Sequence, residues 1–143
     1  MAEDTNQLRV RLVTPERILF DHAAATVELP SKSGYLEVLY GHAPLFAELG
    51  AGDVTVRGGP DGPDSETRYN VSWGFVEVLP GRVTILASDA LKPEEIDVHL
   101  AEQQLDRGLT LWKQAGESEE AYDEALRVIS EAEAKIASAA EKE

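Results

Sequence analysis

From the start of the chain to Ala90 the apolar residues recur at every second position, broken by turn-forming residues, as half-buried antiparallel strands require. Leu8, Val10 and Leu12 alternate with Gln7, Arg9 and Arg11. Thr14-Pro15-Glu16 ends that strand, because proline has no N–H to give a ladder. Ile18 to Phe20, Ala25 to Leu29 and Gly34 to Tyr40 predict further short strands, the last two reversed at Pro30-Ser31-Lys32-Ser33-Gly34. Val54 and Val56 alternate before Gly58-Gly59-Pro60-Asp61-Gly62-Pro63-Asp64-Ser65, which is too rich in glycine and proline for regular structure. That run reads as an exposed hairpin tip, after which Arg68-Tyr69-Asn70-Val71 resumes the pattern. Phe75 to Leu79 and Val83 to Ala87 flank Pro80-Gly81 and predict a tight hairpin. Many short strands of this kind close as a sandwich or barrel, since an open sheet would leave its apolar face wet.

At Leu91-Lys92-Pro93-Glu94-Glu95 the period changes, with proline suited to a first helical turn and two carboxylates placed for the positive end of the helix dipole. The spacing predicts a helix from there, with Ile96, Leu100, Leu105, Leu109 and Trp112 as its apolar stripe and an end near Gly116. Ser118 is placed to cap a second helix with Glu119 and Glu120 in its first turn. Its stripe is Tyr122, Ala125, Leu126, Ile129, Ala132, Ile136 and Ala139. Joined by a short turn, the two helices can lie antiparallel as an αα-hairpin, and the alanines permit close packing. The fold class is therefore an all-β sandwich followed by a C-terminal α-helical hairpin, α+β overall and two-part, with residues 1–90 as the sandwich and 91–143 as the hairpin. Two short helices bury little area, so the hairpin must lean on the sandwich or on a partner. The acidic, alanine-rich tail from Glu131 to Glu143 is expected to fray.

Composition narrows the function. A formal net charge of -14 over 143 residues repels nucleic acid and anionic lipid and attracts basic protein surfaces. Without cysteine there is no disulfide, no thiolate nucleophile and no Cys-type zinc site, in keeping with a reducing compartment. Met1-Ala2-Glu3-Asp4 lacks the basic flank and apolar run of a signal peptide, and no apolar stretch is long enough to span a bilayer, so direct membrane insertion is not expected.

Catalytic chemistry is not legible. Gly50-Ala51-Gly52 and Gly58-Gly59 sit between strands without a following Lys-Ser/Thr and read as turns rather than phosphate cradles. His22, His42 and His99 are scattered over different elements. His99 has Glu95 and Glu102 at helical spacing, but a solvated charged face accounts for that trio equally well. No serine stands in a Gly-x-Ser-x-Gly context. No catalytic residue, metal or cofactor is assigned; the chain reads as a non-catalytic assembly subunit, with an enzyme of a type without a local signature as a further alternative.

Three segments in order resemble the epsilon subunit of bacterial F-type ATP synthases, the counterpart of the mitochondrial delta subunit. They are Val13-Thr14-Pro15-Glu16-Arg17 with Phe20-Asp21, then Gly34-Tyr35-Leu36-Glu37-Val38-Leu39-Tyr40-Gly41-His42-Ala43-Pro44-Leu45, then Tyr69-Asn70-Val71-Ser72-Trp73-Gly74-Phe75-Val76-Glu77-Val78. Val83-Thr84-Ile85-Leu86-Ala87 and Glu94-Glu95-Ile96-Asp97 follow at the family's spacing. The Gly-His-Ala-Pro-Leu run is the most distinctive piece, and the ordered set covers nearly the whole chain.

The resemblance implies a rotor subunit of the central stalk in a proton-translocating ATP synthase. Its sandwich would contact the gamma subunit and the c-ring, coupling hydrogen ion transport to ATP synthesis, at the cytoplasmic face of the bacterial cell membrane as a peripheral component. Its hairpin would either fold on the sandwich or extend to the alpha/beta catalytic head and obstruct hydrolysis. Carried over by position, the ring-facing residues are Gly34, Tyr35, Tyr40, Gly41, His42, Ala43 and Pro44. His42 reads as an interface residue or as a locally hydrogen-bonded loop residue, and Trp73 as an interface anchor or a capped core aromatic. Tyr40 stands where the family often has proline, Glu37 where it often has glycine, Tyr35 where an acidic residue is common and Trp73 where glycine is common. Some members bind ATP through Ile/Leu-Asp-x-x-Arg-Ala; the corresponding positions here are Ile96, Asp97, Leu100 and Ala101, and the arginine has become Leu100. Without a guanidinium to meet phosphate, nucleotide binding is expected to be weak or absent. The second helix offers only Arg127 and Lys135 among many carboxylates for electrostatic locking onto acidic segments of the head. The alternative from another class is a free β-sandwich adaptor or chaperone-like module; a heterogeneous set of clients, rather than a stoichiometric complex with gamma, would mark it.

Overall fold

The protein is described by a computed structural model covering residues 7–141, so Met1-Ala2-Glu3-Asp4 and the last two residues of the acidic tail lie outside the described residues. By its internal contacts the chain divides into two compact units, Met1–Ala90 and Leu91–Glu143.

The first unit holds seven strands: β1 (Leu8–Val13), β2 (Ile18–Ala24), β3 (Thr26–Ser31), β4 (Gly34–Leu39), β5 (Leu45–Arg57), β6 (Glu66–Leu79) and β7 (Arg82–Leu91). They form one hydrogen-bonded sheet in the order β2-β1-β7-β6-β5-β3-β4, antiparallel along β1-β2 and from β6 to β4, with β1 running parallel to β7. The sheet folds over on itself. Ala25 alone separates β2, at one end of that order, from β3 near the other, and the Tyr69 hydroxyl of β6 donates to the Leu19 carbonyl of β2 at 3.0 Å, three places away in the sheet. Between the folded halves Leu8, Val10, Leu12, Val27, Leu29, Val38, Val54, Val71, Val76, Val78, Val83 and Ile85 make one buried cluster. Each comes from the inward set of its strand, so the alternation read from sequence is the packing itself.

Four strands are markedly longer than the pattern predicts: β2 and β7 run on to Ala24 and Leu91, β5 reaches back to Leu45, and β6 joins two stretches read as separate. Gly50-Ala51-Gly52 is no turn: it lies inside β5, which pairs with β6 in a single register from Leu45↔Val78 to Arg57↔Glu66. Its glycines are small because other chain segments come close. A Cβ on Gly50 would meet the Ser31 carbonyl oxygen at 3.2 Å, and one on Gly52 would strike the Tyr35 ring, whose hydroxyl accepts from the Asp53 N–H at 3.0 Å. Likewise Arg68–Val71 and Phe75–Leu79 are parts of one β6, kinked at Trp73 (φ 60°) and Gly74 (φ 135°), opposite the point where the β5 pairing skips Gly50. Pro30 belongs to β3 rather than to the turn, which leaves Lys32 and Ser33 to make the reversal.

In the second unit the helix does not begin at Pro93. Pro93–Glu95 forms a single 3₁₀ turn, and α1 (Val98–Gln114) starts after Asp97, whose carboxylate accepts from the Leu100 N–H at 3.2 Å. Gly116, at φ 59°, follows α1; the Ser118 hydroxyl accepts from the Ala121 N–H at 3.1 Å and opens α2 (Glu119–Glu141). Of the predicted stripes, Ile96, Ala125, Ala132 and Ala139 are buried, while several of the large residues are not. Gly108 packs so near α2 that a Cβ there would lie 2.8 Å from Ile129 Cγ1, and Ala101, Ala125, Ala132 and Ala139 are buried. Leu100 (59% exposed), Leu109 and Trp112 (45% exposed) of the expected stripe are on the surface, as are Tyr122 and Leu126. Close approach of two helices selects small residues at the seam and turns the large ones outward.

Candidate functional site

The sequence-derived interface residues fall at the two ends of β4, an outer strand of the sheet, and are not gathered at one point. Six residues of strand span about 20 Å. Gly34 and Tyr35 open β4 next to the Lys32-Ser33 reversal, with Tyr35 laid over Gly52 and yet 57% exposed. Tyr40, Gly41, His42, Ala43 and Pro44 form the connection from β4 to β5 at the other end. Bridging the two ends are the outward side chains of β4, Tyr35, Glu37 and Leu39, which alternate with half-buried Leu36 and buried Val38.

The β4–β5 connection is held rigidly. Gly41 N–H donates to the Pro80 carbonyl at 2.6 Å, tying the loop to the β6–β7 turn, and Gly41 adopts φ 92°, a conformation open to glycine at no steric cost. His42 N–H donates to the Leu39 carbonyl at 3.1 Å, while His42 Nδ1 lies 2.6 Å from the Ala43 carbonyl oxygen. A carbonyl can only accept, so this nitrogen carries the proton and the ring is fixed by the loop itself. Tyr40 projects beside Gly81, half exposed. The result is a preorganised aromatic and imidazole surface, suited to contact another protein without ordering cost and holding no paired acid and base.

The nucleotide candidates are contiguous but otherwise engaged. Asp97 caps α1, Ile96 and Ala101 are buried, and Leu100 puts an isobutyl group in solvent. Among the described residues no group of three or more His, Asp or Glu side chains is placed to hold a metal ion, and no helix is long and apolar enough to cross a membrane.

Sequence reasoning missed an exposed apolar face. Phe46 (67% exposed), Phe75 and Leu86 point outward from β5, β6 and β7, the two phenyl rings stacked at 5.5 Å and 15°. The signal was present: Phe46 shares parity with Glu48, and Phe75 with Glu77, while Val76 and Val78 take the opposite parity and fill the core.

A family model described as ATP synthase, Delta/Epsilon chain, beta-sandwich domain matches residues 7–93. The ATP synthase epsilon chain of Koribacter versatilis is 46% identical over 95 residues, which is 64% of this chain and 62% of that relative's own length. That of Solibacter usitatus is 37% identical over 137 residues, covering 94% of this chain and 97% of the relative. Among solved structures, a chain of the Euglena gracilis mitochondrial ATP synthase, in a structure of OSCP/F1/c-ring in rotational state 1, superposes with a TM-score of 0.77 at 22% identity over 95% of this chain and 83% of that one, a likeness of fold.

Proposed function

The chain belongs to the ATP synthase delta/epsilon chain family, and from that premise we propose that it is a central-stalk rotor subunit linking the c-ring to the gamma subunit. The observation that carries the reading is the stiff β4–β5 loop, whose exposed Tyr40 and self-bonded His42 are braced against the β6–β7 turn by the bond from Gly41 to Pro80. A part that transmits torque must present such a surface without rearranging, and it needs no reacting group.

In this reading the sandwich couples proton-driven ring rotation to gamma, and Tyr40, Gly41, His42, Ala43 and Pro44 meet the ring, joined by Gly34 and Tyr35 along the outward row of β4. The protein sits peripherally at the cytoplasmic face of the bacterial membrane. Residues 1–90 fold as one domain and 91–143 as another, the second regulating hydrolysis by docking on the catalytic head. With Asp97 committed to the helix cap and Leu100 in place of a guanidinium, the hairpin binds ATP weakly or not at all.

The test is reconstitution of proton-driven ATP synthesis with and without this chain. Omission abolishes coupled synthesis while leaving head ATPase intact; undiminished synthesis without the chain overturns the reading. Truncation after Ala90 raises or leaves unchanged the ATPase rate of the assembled complex, and a fall in that rate contradicts an inhibitory hairpin.

A further inference from the structure

The seam of the hairpin decides which of its large apolar groups stand together. Gly108 of α1 packs against Val128 and Ile129 of α2, and Ala101, Ala125, Ala132 and Ala139 are buried. Leu109 follows Gly108 by one residue, about 100° round its helix, and Leu126 follows Ala125 by the same step. Two antiparallel helices that face each other are related by a two-fold axis perpendicular to both the helix axes and the line joining them. Equal steps from the seam therefore lead to the same side of the pair. Trp112, three residues past Leu109, and Tyr122, four before Leu126, extend that side at helical spacing. All four side chains are exposed, and they make one apolar face across both helices close to the Gly116 turn. Contiguous exposed groups of this kind mark protein contacts, in which tryptophan and tyrosine carry most of the binding.

The rim sets the chemistry of what can cover this face. Asp106 stands three residues before Leu109, Glu119 three before Tyr122, Asp123 three before Leu126 and Glu133 seven after it, all of them exposed. On the same border the one base is Lys113, four residues past Leu109. Lys135 of α2 is bonded to Glu131 at 3.3 Å with little of its side chain in solvent, so it is already committed within its own helix. A lysine or arginine reaching this face meets the Trp112 and Tyr122 rings with carboxylates around them. An acidic segment, an anionic bilayer or a second copy of the face meets repulsion.

We propose that the hairpin docks closed, and that the face of Leu109, Trp112, Tyr122 and Leu126 covers an apolar segment of the catalytic head that bears lysine or arginine. Each helix supplies half of the face, so the face exists only while the seam holds. This rests on the reading that the hairpin docks on the head. It gives the docking a charge opposite to that of a lock made by basic residues on acidic segments.

The experiment is photo-cross-linking in the purified, assembled complex, with benzoylphenylalanine in place of Leu126 of the full chain and the captured peptides read by mass spectrometry. The adduct is expected on a head peptide with lysine or arginine close by. Its yield falls about tenfold when Glu119→Lys, Asp123→Lys and Glu133→Lys are combined, and about fivefold with Trp112→Ser. Raising the salt concentration lowers it as well. Amide exchange at the seam, around Gly108, stays as slow in the complex as in the free chain. Benzoylphenylalanine in place of Tyr122 is a second position for the probe, used if the first disturbs the hairpin, and the charge reversal alters only exposed side chains. A captured peptide that is acidic, capture confined to this chain or to a second copy of it, a yield that the charge reversal leaves unchanged, or a seam that loses protection on assembly each overturn the inference and spare the stalk reading. A wild-type chain that does not enter the complex overturns both.

Discussion

The two units bury apolar surface in opposite ways. The sandwich hides its branched aliphatics, with Leu8, Val10, Leu29, Val54 and Ile85 almost wholly removed from solvent, whereas the hairpin closes over Ala101, Gly108, Ala125 and Ala132 and leaves Leu100, Leu109, Trp112, Tyr122 and Leu126 outside. A buried leucine or valine is worth about 2 kcal/mol and an alanine well under 1. One unit is thus held by its own interior, and the other carries its largest apolar groups where only a further surface could cover them. Self-sufficiency suits a part that bears load, and dependence suits a part that changes its docking.

The largest effect that would break this contrast is expected at the β6 kink. Gly74→Val places a branched side chain against the Leu86 carbonyl in a conformation closed to it, and should cost about 3 kcal/mol or more, read as a lost or strongly lowered denaturation midpoint. Next is separation of the units. Residues 1–90 alone should unfold cooperatively, while a 91–143 peptide should show less than about half the helix content of its segment in the intact chain by circular dichroism. A fully helical peptide would remove the claim of dependence.

Sharper discrimination comes from Gly108→Leu, which forces α1 away from Val128 and Ile129. It should cost about 2 kcal/mol in the hairpin and leave the thermal transition of the sandwich in place, as hydrogen exchange resolved by segment would show. The smallest effect is at Thr26, whose hydroxyl is buried without a hydrogen-bond partner among the described residues. Thr26→Val keeps the shape and removes the orphan, and should raise stability by about 1 kcal/mol, read as a few degrees in the melting temperature.

How far each unit was legible follows from the same contrast. In the sandwich, alternation of large residues is the burial pattern, so β1 and β4 stand nearly where the sequence puts them, and β7 starts there but runs on to Leu91. The failures lie where packing asks for the absence of a side chain. Gly50-Ala51-Gly52 looks like a turn because its reason for being small, the Ser31 backbone and the Tyr35 ring, comes from strands earlier in the chain. In the hairpin the pattern held in part: Ala125, Ala132 and Ala139 of the predicted stripe are buried, but Leu100, Leu109 and Trp112 are not, because Ala101 and Gly108 lie at the seam. The helix start was read at Pro93, which begins only a 3₁₀ turn, while Asp97 is the residue that caps α1. The interface loop was readable as a motif, but that Gly34 and Tyr35 stand a strand's length from His42 needed coordinates. The phenyl pair was hidden because aromatics in strands are first assumed to face inward.

The continuous ladder from β2 round to β4 has a mechanical corollary. A twist applied to the outermost strand is handed on through rows of N–H···O bonds loaded together, in shear, instead of through a greasy interlayer able to slip. The Tyr69 hydroxyl, bridging the folded halves to Leu19, acts like a rivet through both leaves. Such a body should deform elastically as one spring, and its compliance, measurable by pulling between β2 and β4, sets how much strain it can store per turn.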